Sequence, residues 1–123
     1  MTKIKAVRIM CDHCASGVWS APSVANSSMD GFWVSDELWA RIQAWQAWYE
    51  TQNVCVPVDT EFDWDGFTIE GLMIARAVKA ELPDWVVVYS DEQVLNFKCY
   101  SKNPKFWHNR QFSFEIEIAE KLH

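Results

Sequence analysis

Glycine, histidine and long apolar runs are all scarce in this sequence. Its 123 residues include four glycines and three histidines, and they contain no Ser-His-Asp set, glycine-rich phosphate loop or carboxylate pair at a recognisable spacing. The first ten residues lack the apolar core and small-residue cleavage site of a signal peptide, and no apolar run approaches the length that crosses a bilayer. We therefore expect a cytoplasmic protein that is not an enzyme and that does not contact membranes.

Positive charge is also in short supply. Seventeen acidic residues outnumber eleven Lys and Arg, which gives a formal net charge of −6. This balance argues against general nucleic-acid binding and permits a basic partner. The tract from Lys98 to Arg110 is basic and carries Tyr100, Phe106 and Trp107, so it could stack on RNA bases. Basic residues on a loop usually just face water, so we expect no nucleic-acid partner.

Apolar residues make up half of the chain, and eight of them are tryptophan. A chain of this length supports one domain, residues 1–123, with a real core. The segment after Gly66 predicts a helix that is apolar almost all round and that ends at Pro83, because the residue before a proline is pushed out of the helical region. The β-branched and aromatic run Trp85–Tyr89 that follows is typical of a strand buried on both faces.

Further elements extend this pattern. The sequence predicts a first strand at Lys3–Met10, a helix from Asp36 to about Gln52 with Ser35 as its N-cap, a strand at Val94–Cys99, and an alternating last strand at Phe112–Ile118 with one buried face. The order is strand, helix, helix, strand, strand, strand. We predict an α+β, two-layer fold in which two helices pack on one face of a small mixed sheet of about four strands.

Two cysteines at the end of the first predicted strand invite a chemical interpretation. Cys11-x-x-Cys14 is half of a zinc site, but the remaining ligands would have to come from distant residues. The run from His13 to Gly17 resembles the start of a protein tyrosine phosphatase loop, although Ser20 stands where that loop needs arginine. A small buried cysteine that closes a turn is the simpler interpretation. A metal-binding regulatory or enzyme-like domain using Cys11 and Cys14 remains the alternative function, and we expect no cofactor.

An acidic loop precedes the second helix and alternates carboxylates with aromatic residues. Its spacing misses the glycine and terminal glutamate of an EF-hand calcium loop. A solvated charged loop is the default interpretation, and a docking surface for a basic protein is the sharper one. We predict partner contacts in this loop and in a second patch on the long first loop: Asp59, Glu61, Asp63, Trp64 and Asp65, then Asp12, Asp30 and Trp33.

The first helix is rich in aromatic residues. Trp39, Trp45, Trp48 and Tyr49 could line a ligand or peptide groove, but at helical spacing they more often form core against a second helix. Surplus tryptophans could still line an exposed patch, where aromatic residues are favoured interface anchors. A small-ligand binder with an aromatic pocket is therefore a third possible function.

Three segments of the chain resemble a known family. VRIMCDHCASGVW, SDELWARIQAWQAWYE and FTIEGLMIARAVKAELPDWVVVYSDE are similar to small bacterial immunity proteins of polymorphic toxin and contact-dependent growth-inhibition systems. The resemblance covers about residues 5–92, and its most specific part is GLxxARxxKAELPDWxVVYxDE. It implies a cytosolic, non-catalytic protein that binds and blocks one cognate toxin, often a nuclease. It carries over no catalytic residues.

Overall fold

The structure, a computed structural model, describes residues 3–93 and 115–119. The predicted strand Val94–Cys99 and the basic tract Lys98–Arg110 lie outside these residues. The described elements are, in chain order, β1 (Ile4–Ile9), β2 (Val18–Trp19), β3 (Ser27–Ser28), α1 (Asp36–Tyr49), α2 (Trp64–Glu81), β4 (Val86–Ser90) and β5 (Glu115–Glu117).

Side-chain caps fix where the helices begin. The Ser35 hydroxyl accepts a hydrogen bond from the Leu38 N–H at 3.2 Å, as its position before two acidic residues predicts. The Asp63 carboxylate accepts one from the Gly66 N–H at 3.0 Å. Asp63 therefore starts α2 at Trp64, inside the acidic loop that the sequence predicts before this helix. The first helix ends at Tyr49, three residues before the predicted end.

Within the described residues the sheet is mixed and has five strands in the order β2-β1-β4-β5, with β3 paired to β1. Strands β1 and β4 are parallel, from Ala6 opposite Val86 to Ile9 opposite Tyr89, and β4 and β5 are antiparallel. The predicted α+β class is confirmed. The strand count differs from about four because the long first loop forms two short strands, β2 and β3, along β1.

The two faces of the sheet are covered differently. On one face, Val87 and Tyr89 of β4 join the main core with residues of both helices, including Ile42 and Ile74. On the other face, Val88 packs in a smaller cluster with Ala6 of β1 and with Ala21 and Val24 of the long first loop. The helix layer therefore lies on a single face, as predicted, and β4 is buried on both.

The short strand β5 departs from its predicted burial. Ile118 is buried, as predicted, but Ile116 is 41% exposed. Ile116 lies opposite Tyr89 in a strand that pairs with β4 alone among the described strands. At such a sheet edge a side chain has one neighbouring strand instead of two, which leaves part of it open.

The helix pair gives the domain two distinct ends. At one end, Glu81 at the close of α2 accepts hydrogen bonds from the N–H and the hydroxyl of Ser35, at 2.6 and 2.7 Å, so the helices run antiparallel. At the other end, Gln46 near the close of α1 bonds the backbone of Asp12, which follows β1. No helix in the described ranges has the length and apolar character that a membrane crossing demands.

Candidate functional site

The acidic loop before α2 is organised by its first carboxylate. One oxygen of Asp59 accepts the Asn53 N–H at 2.8 Å and the other accepts the Glu61 N–H at 3.0 Å. The Trp64 indole N–H donates to the Asp59 carbonyl at 2.8 Å. Asp59 therefore holds the loop together, while Glu61 is exposed on it.

The other predicted contact residues of this loop have mixed roles. Asp63 caps α2, and the half-buried ring of Trp64 packs edge-on against Phe62 and Phe67, with centroid distances of 4.8 and 5.9 Å. Asp65 is exposed and accepts a hydrogen bond from the Gln93 side chain at 3.0 Å. Glu61 and Asp65 are thus the carboxylates of this loop most open to a partner.

The turn after β1 brings Asp12 to the same end of the domain. Gln46 donates from its side chain to the Asp12 carbonyl at 2.6 Å, and the Cys14 N–H donates to the Glu50 carboxylate at 2.8 Å. That bond is the first cause of a lowered Glu50 pKa, which keeps this fully exposed carboxylate ionised. A cavity of about 200 Å³ joins the turn to the acidic loop, with His13, Tyr49 and Asp59 among its lining residues.

Two carboxylates follow strand β4 at the same end of the domain. Asp91 and Glu92 follow its last residue and are 8% and 9% exposed. Burial, followed by the charges of Asp12 and Asp91, raises the pKa of Glu92 to about 7. Because β1 and β4 are parallel, their carboxyl ends meet at one edge of the sheet, and this edge carries Asp12, Asp91 and Glu92 together.

We call this surface the acidic end. Its members are Asp12, Glu50, Asp59, Glu61, Asp63, Asp65, Asp91 and Glu92. Two arginines of the described chain are engaged outside it: Arg8 lies 3.8 Å from Glu115, and Arg41 lies 2.7 Å from Glu70. So many carboxylates at one end create a negative potential, which attracts positive charge.

Trp33 and Asp30 occupy a different part of the molecule from Asp12. Both lie in the segment between β3 and α1, and β3 pairs with Ile4 and Lys5 at the start of β1. This is the end at which α1 begins and α2 closes. The second patch proposed from the sequence is therefore divided, with Asp12 in the acidic end and Trp33, 76% exposed, at the opposite end.

The two candidate metal ligands differ sharply in environment. Cys11 is fully buried, and burial raises its thiol pKa above the ordinary value, which favours the uncharged thiol over the thiolate that binds metals. Cys14 is exposed. Within residues 3–93 and 115–119, no three His, Cys, Asp or Glu side chains form a group able to hold a metal ion. Cys99, His108 and His123 lie outside those ranges.

Sequence reasoning missed Glu50, Asp91 and Glu92. Asp91 and Glu92 lie between the predicted strands Trp85–Tyr89 and Val94–Cys99, where the local sequence gives no sign of a site. The strand topology could have pointed to them, because ligands of open α/β sheets bind at the carboxyl ends of parallel strands. Glu50 gives no such signal, since only the folded turn places it against Cys14.

Comparison with known proteins identifies a family. The model of a family described as Serratia CdiI immunity protein-like matches residues 5–92, which is well over half of the chain. The matched segment runs from β1 to Glu92 and includes all members of the acidic end. No curated protein and no solved structure matches the chain.

Proposed function

The chain belongs to the Serratia CdiI immunity protein-like family, and we propose that it binds and neutralises one cognate toxin by covering the toxin's active cleft with its acidic end. The family match is the observation that carries this proposal. In this proposal the protein acts in the cytosol as a stoichiometric inhibitor and performs no reaction of its own.

The charge of the acidic end favours a nuclease as the toxin. Nucleases bind the phosphates of RNA or DNA, so their active clefts are positive. A surface of carboxylates can occupy such a cleft, and opposite charge on the two partners speeds their association. Glu61 and Asp65 are exposed at the rim of this surface, while Asp91 and Glu92 lie buried at its base.

The direct test first looks for a toxin domain among the genes that neighbour this one and then uses that domain. We expect an equimolar amount of the protein to form a complex with that domain and to abolish its cleavage of a plasmid or of total RNA. The complex is measured by titration calorimetry and the cleavage by gel. Full toxin activity in the presence of excess protein would refute the proposal, and inhibition of a toxin that cleaves neither DNA nor RNA would refute the nuclease assignment alone.

A charge reversal confined to the exposed carboxylates tests the contact surface. Asp59 and Asp63 are left intact, because one organises the loop and the other caps α2. We expect the double variant Glu61→Lys, Asp65→Lys to weaken toxin binding by about ten-fold or more, which is roughly the loss of one or two good ion pairs. Calorimetry gives the dissociation constants.

The control reverses one exposed carboxylate elsewhere and is compared with the single loop variant Glu61→Lys. Asp84 is exposed beyond the far end of α2, a helix of 18 residues and therefore about 27 Å long. Asp84→Lys, measured at physiological salt where distant charges are screened, should change binding little. Equal weakening by the control and by the loop variant would show that overall charge, and not the acidic end, governs binding.

A further inference from the structure

A cavity of about 350 Å³ opens at the start of α1, at the opposite end of the domain from the acidic end. It is lined by Phe32, Trp33, Val34, Asp36 and Trp39. We propose that this cavity receives an arginine side chain of the bound partner, held between the two indoles and the Asp36 carboxylate. The inference rests on the proposed function, because it assigns the toxin a second point of contact.

Trp33 and Trp39 are unusually open for tryptophan. Trp33 is 76% exposed and Trp39 is 40% exposed, whereas Trp45 and Trp85 lie in the core. Nothing within the described ranges covers the two exposed rings. Tryptophan is enriched among the residues that dominate binding energy, because its burial removes a large apolar area from water. The two rings therefore form an exposed apolar surface suited to contact with a binding partner.

The carboxylate of Asp36 determines which kind of side chain the cavity can bind. An apolar side chain would bury this carboxylate without a partner, which costs free energy. A cation gains from the carboxylate and also from the negative faces of the indoles. Arginine meets both demands better than lysine, because its planar guanidinium stacks on aromatic rings and pairs with a carboxylate at the same time.

Two cations of the described residues near this end of the domain are already bonded. Arg41, one turn and a half further along α1, donates to both oxygens of Glu70, at 2.8 and 2.7 Å. The ammonium of Lys79 donates to the carbonyls of Pro83 and Trp85, at 3.0 and 2.7 Å. In this proposal the partner supplies the arginine, because a basic toxin is rich in such side chains.

The chemistry of the cavity is tested with a small probe. N-acetyl-arginine amide is titrated into the ¹⁵N-labelled protein and compared with N-acetyl-citrulline amide, which has nearly the same shape and no charge. We expect the arginine compound to shift the indole N–H resonances of Trp33 and Trp39 in a saturable way, and the buried Trp45 resonance to stay in place. Equal shifts from both compounds, or none from arginine, would overturn the inference. Asp36→Asn should abolish the difference between the compounds.

The role of the cavity in the complex is tested with the toxin domain. We expect Trp33→Ala with Trp39→Ala to weaken binding by about ten-fold or more, with urea unfolding close to that of the parent protein. Retained affinity would overturn the inference and leave the proposed function standing, since Glu61→Lys with Asp65→Lys tests that surface separately. Absence of any complex with the parent protein would defeat the proposed function, and the toxin contact with it.

Discussion

Replacing Phe67 by alanine should lower the free energy of unfolding by about 3–5 kcal/mol. Phe67 is fully buried in the first turns of α2. Its ring has five aromatic neighbours among the described residues, at centroid distances of 4.8 Å (Trp45), 5.5 Å (Phe62), 5.6 Å (Trp48), 5.8 Å (Tyr49) and 5.9 Å (Trp64). Removing it leaves a cavity that these large rings cannot close without leaving their own contacts.

The loss is a large part of the stability of a small domain, which is about 5–15 kcal/mol. Urea unfolding followed by tryptophan fluorescence measures it as a large drop in the midpoint. Trp33→Ala is the control, because that ring is mostly in water and its removal should change stability by less than about 0.5 kcal/mol. If Phe67→Ala unfolds within about 1 kcal/mol of the parent protein, the aromatic cluster is not the centre of the core.

The cluster explains why the helix pair was predictable from sequence. The sequence predicts a helix here that is apolar almost all round, and in the structure Phe67, Ile74 and Val78 are among its buried residues. What the sequence could not show is why Gly71 lies beside them. A Cβ on Gly71 would come within 2.6 Å of both the Trp45 and the Tyr89 rings, so the rings occupy the space of the missing side chain. That contact joins α1, α2 and β4, and only the folded chain reveals it.

The long first loop was the least predictable segment. Its small and polar residues suggested irregular chain, yet Val18 and Trp19 pair with β1, and Ala21 covers the second face of the sheet. Such short pairings depend on the edge that β1 offers, which is a tertiary feature with no local pattern.

The site was partly predictable for a similar reason. The alternating carboxylates of the acidic loop were visible in the sequence, but their meeting with Asp91 and Glu92 depends on strand order.

The buried carboxyl group of Glu92 makes the stability of the folded protein depend on pH. Burial and the charges of Asp12 and Asp91 raise the pKa of Glu92 from 4.5 to about 7 in the folded protein. The folded state therefore holds this proton more tightly than the unfolded chain does. Stability contributed by the protonated carboxyl is complete below pH 4.5, falls as pH rises towards 7, and is lost above it. The gap between the two pKa values corresponds to about 3 kcal/mol.

Glu92→Gln should therefore stabilise the isolated protein at pH 8 by about 2–3 kcal/mol and should change little at pH 4, where the parent carboxyl is already neutral. Urea unfolding at pH 4, 6 and 8 measures the difference. Glu61→Gln removes an exposed charge and should leave the profile of the parent unchanged within about 0.5 kcal/mol. Parallel pH profiles for Glu92→Gln and the parent protein would contradict the burial of an ionised carboxylate here.

The same substitution should act in the opposite direction on toxin binding. A basic partner that approaches the acidic end brings cations towards Asp12, Asp91 and Glu92, and these favour the ionised form that the isolated fold disfavours. The charge on Glu92 is then unfavourable in the free protein and favourable in the complex. We expect Glu92→Gln to raise stability at pH 8 and to weaken the toxin complex. For the parent protein we expect proton release on binding near pH 7, which calorimetry in buffers of different ionisation enthalpy measures. A variant that is both more stable and equally tight would show that Glu92 serves the fold of this end of the sheet and takes no part in recognition.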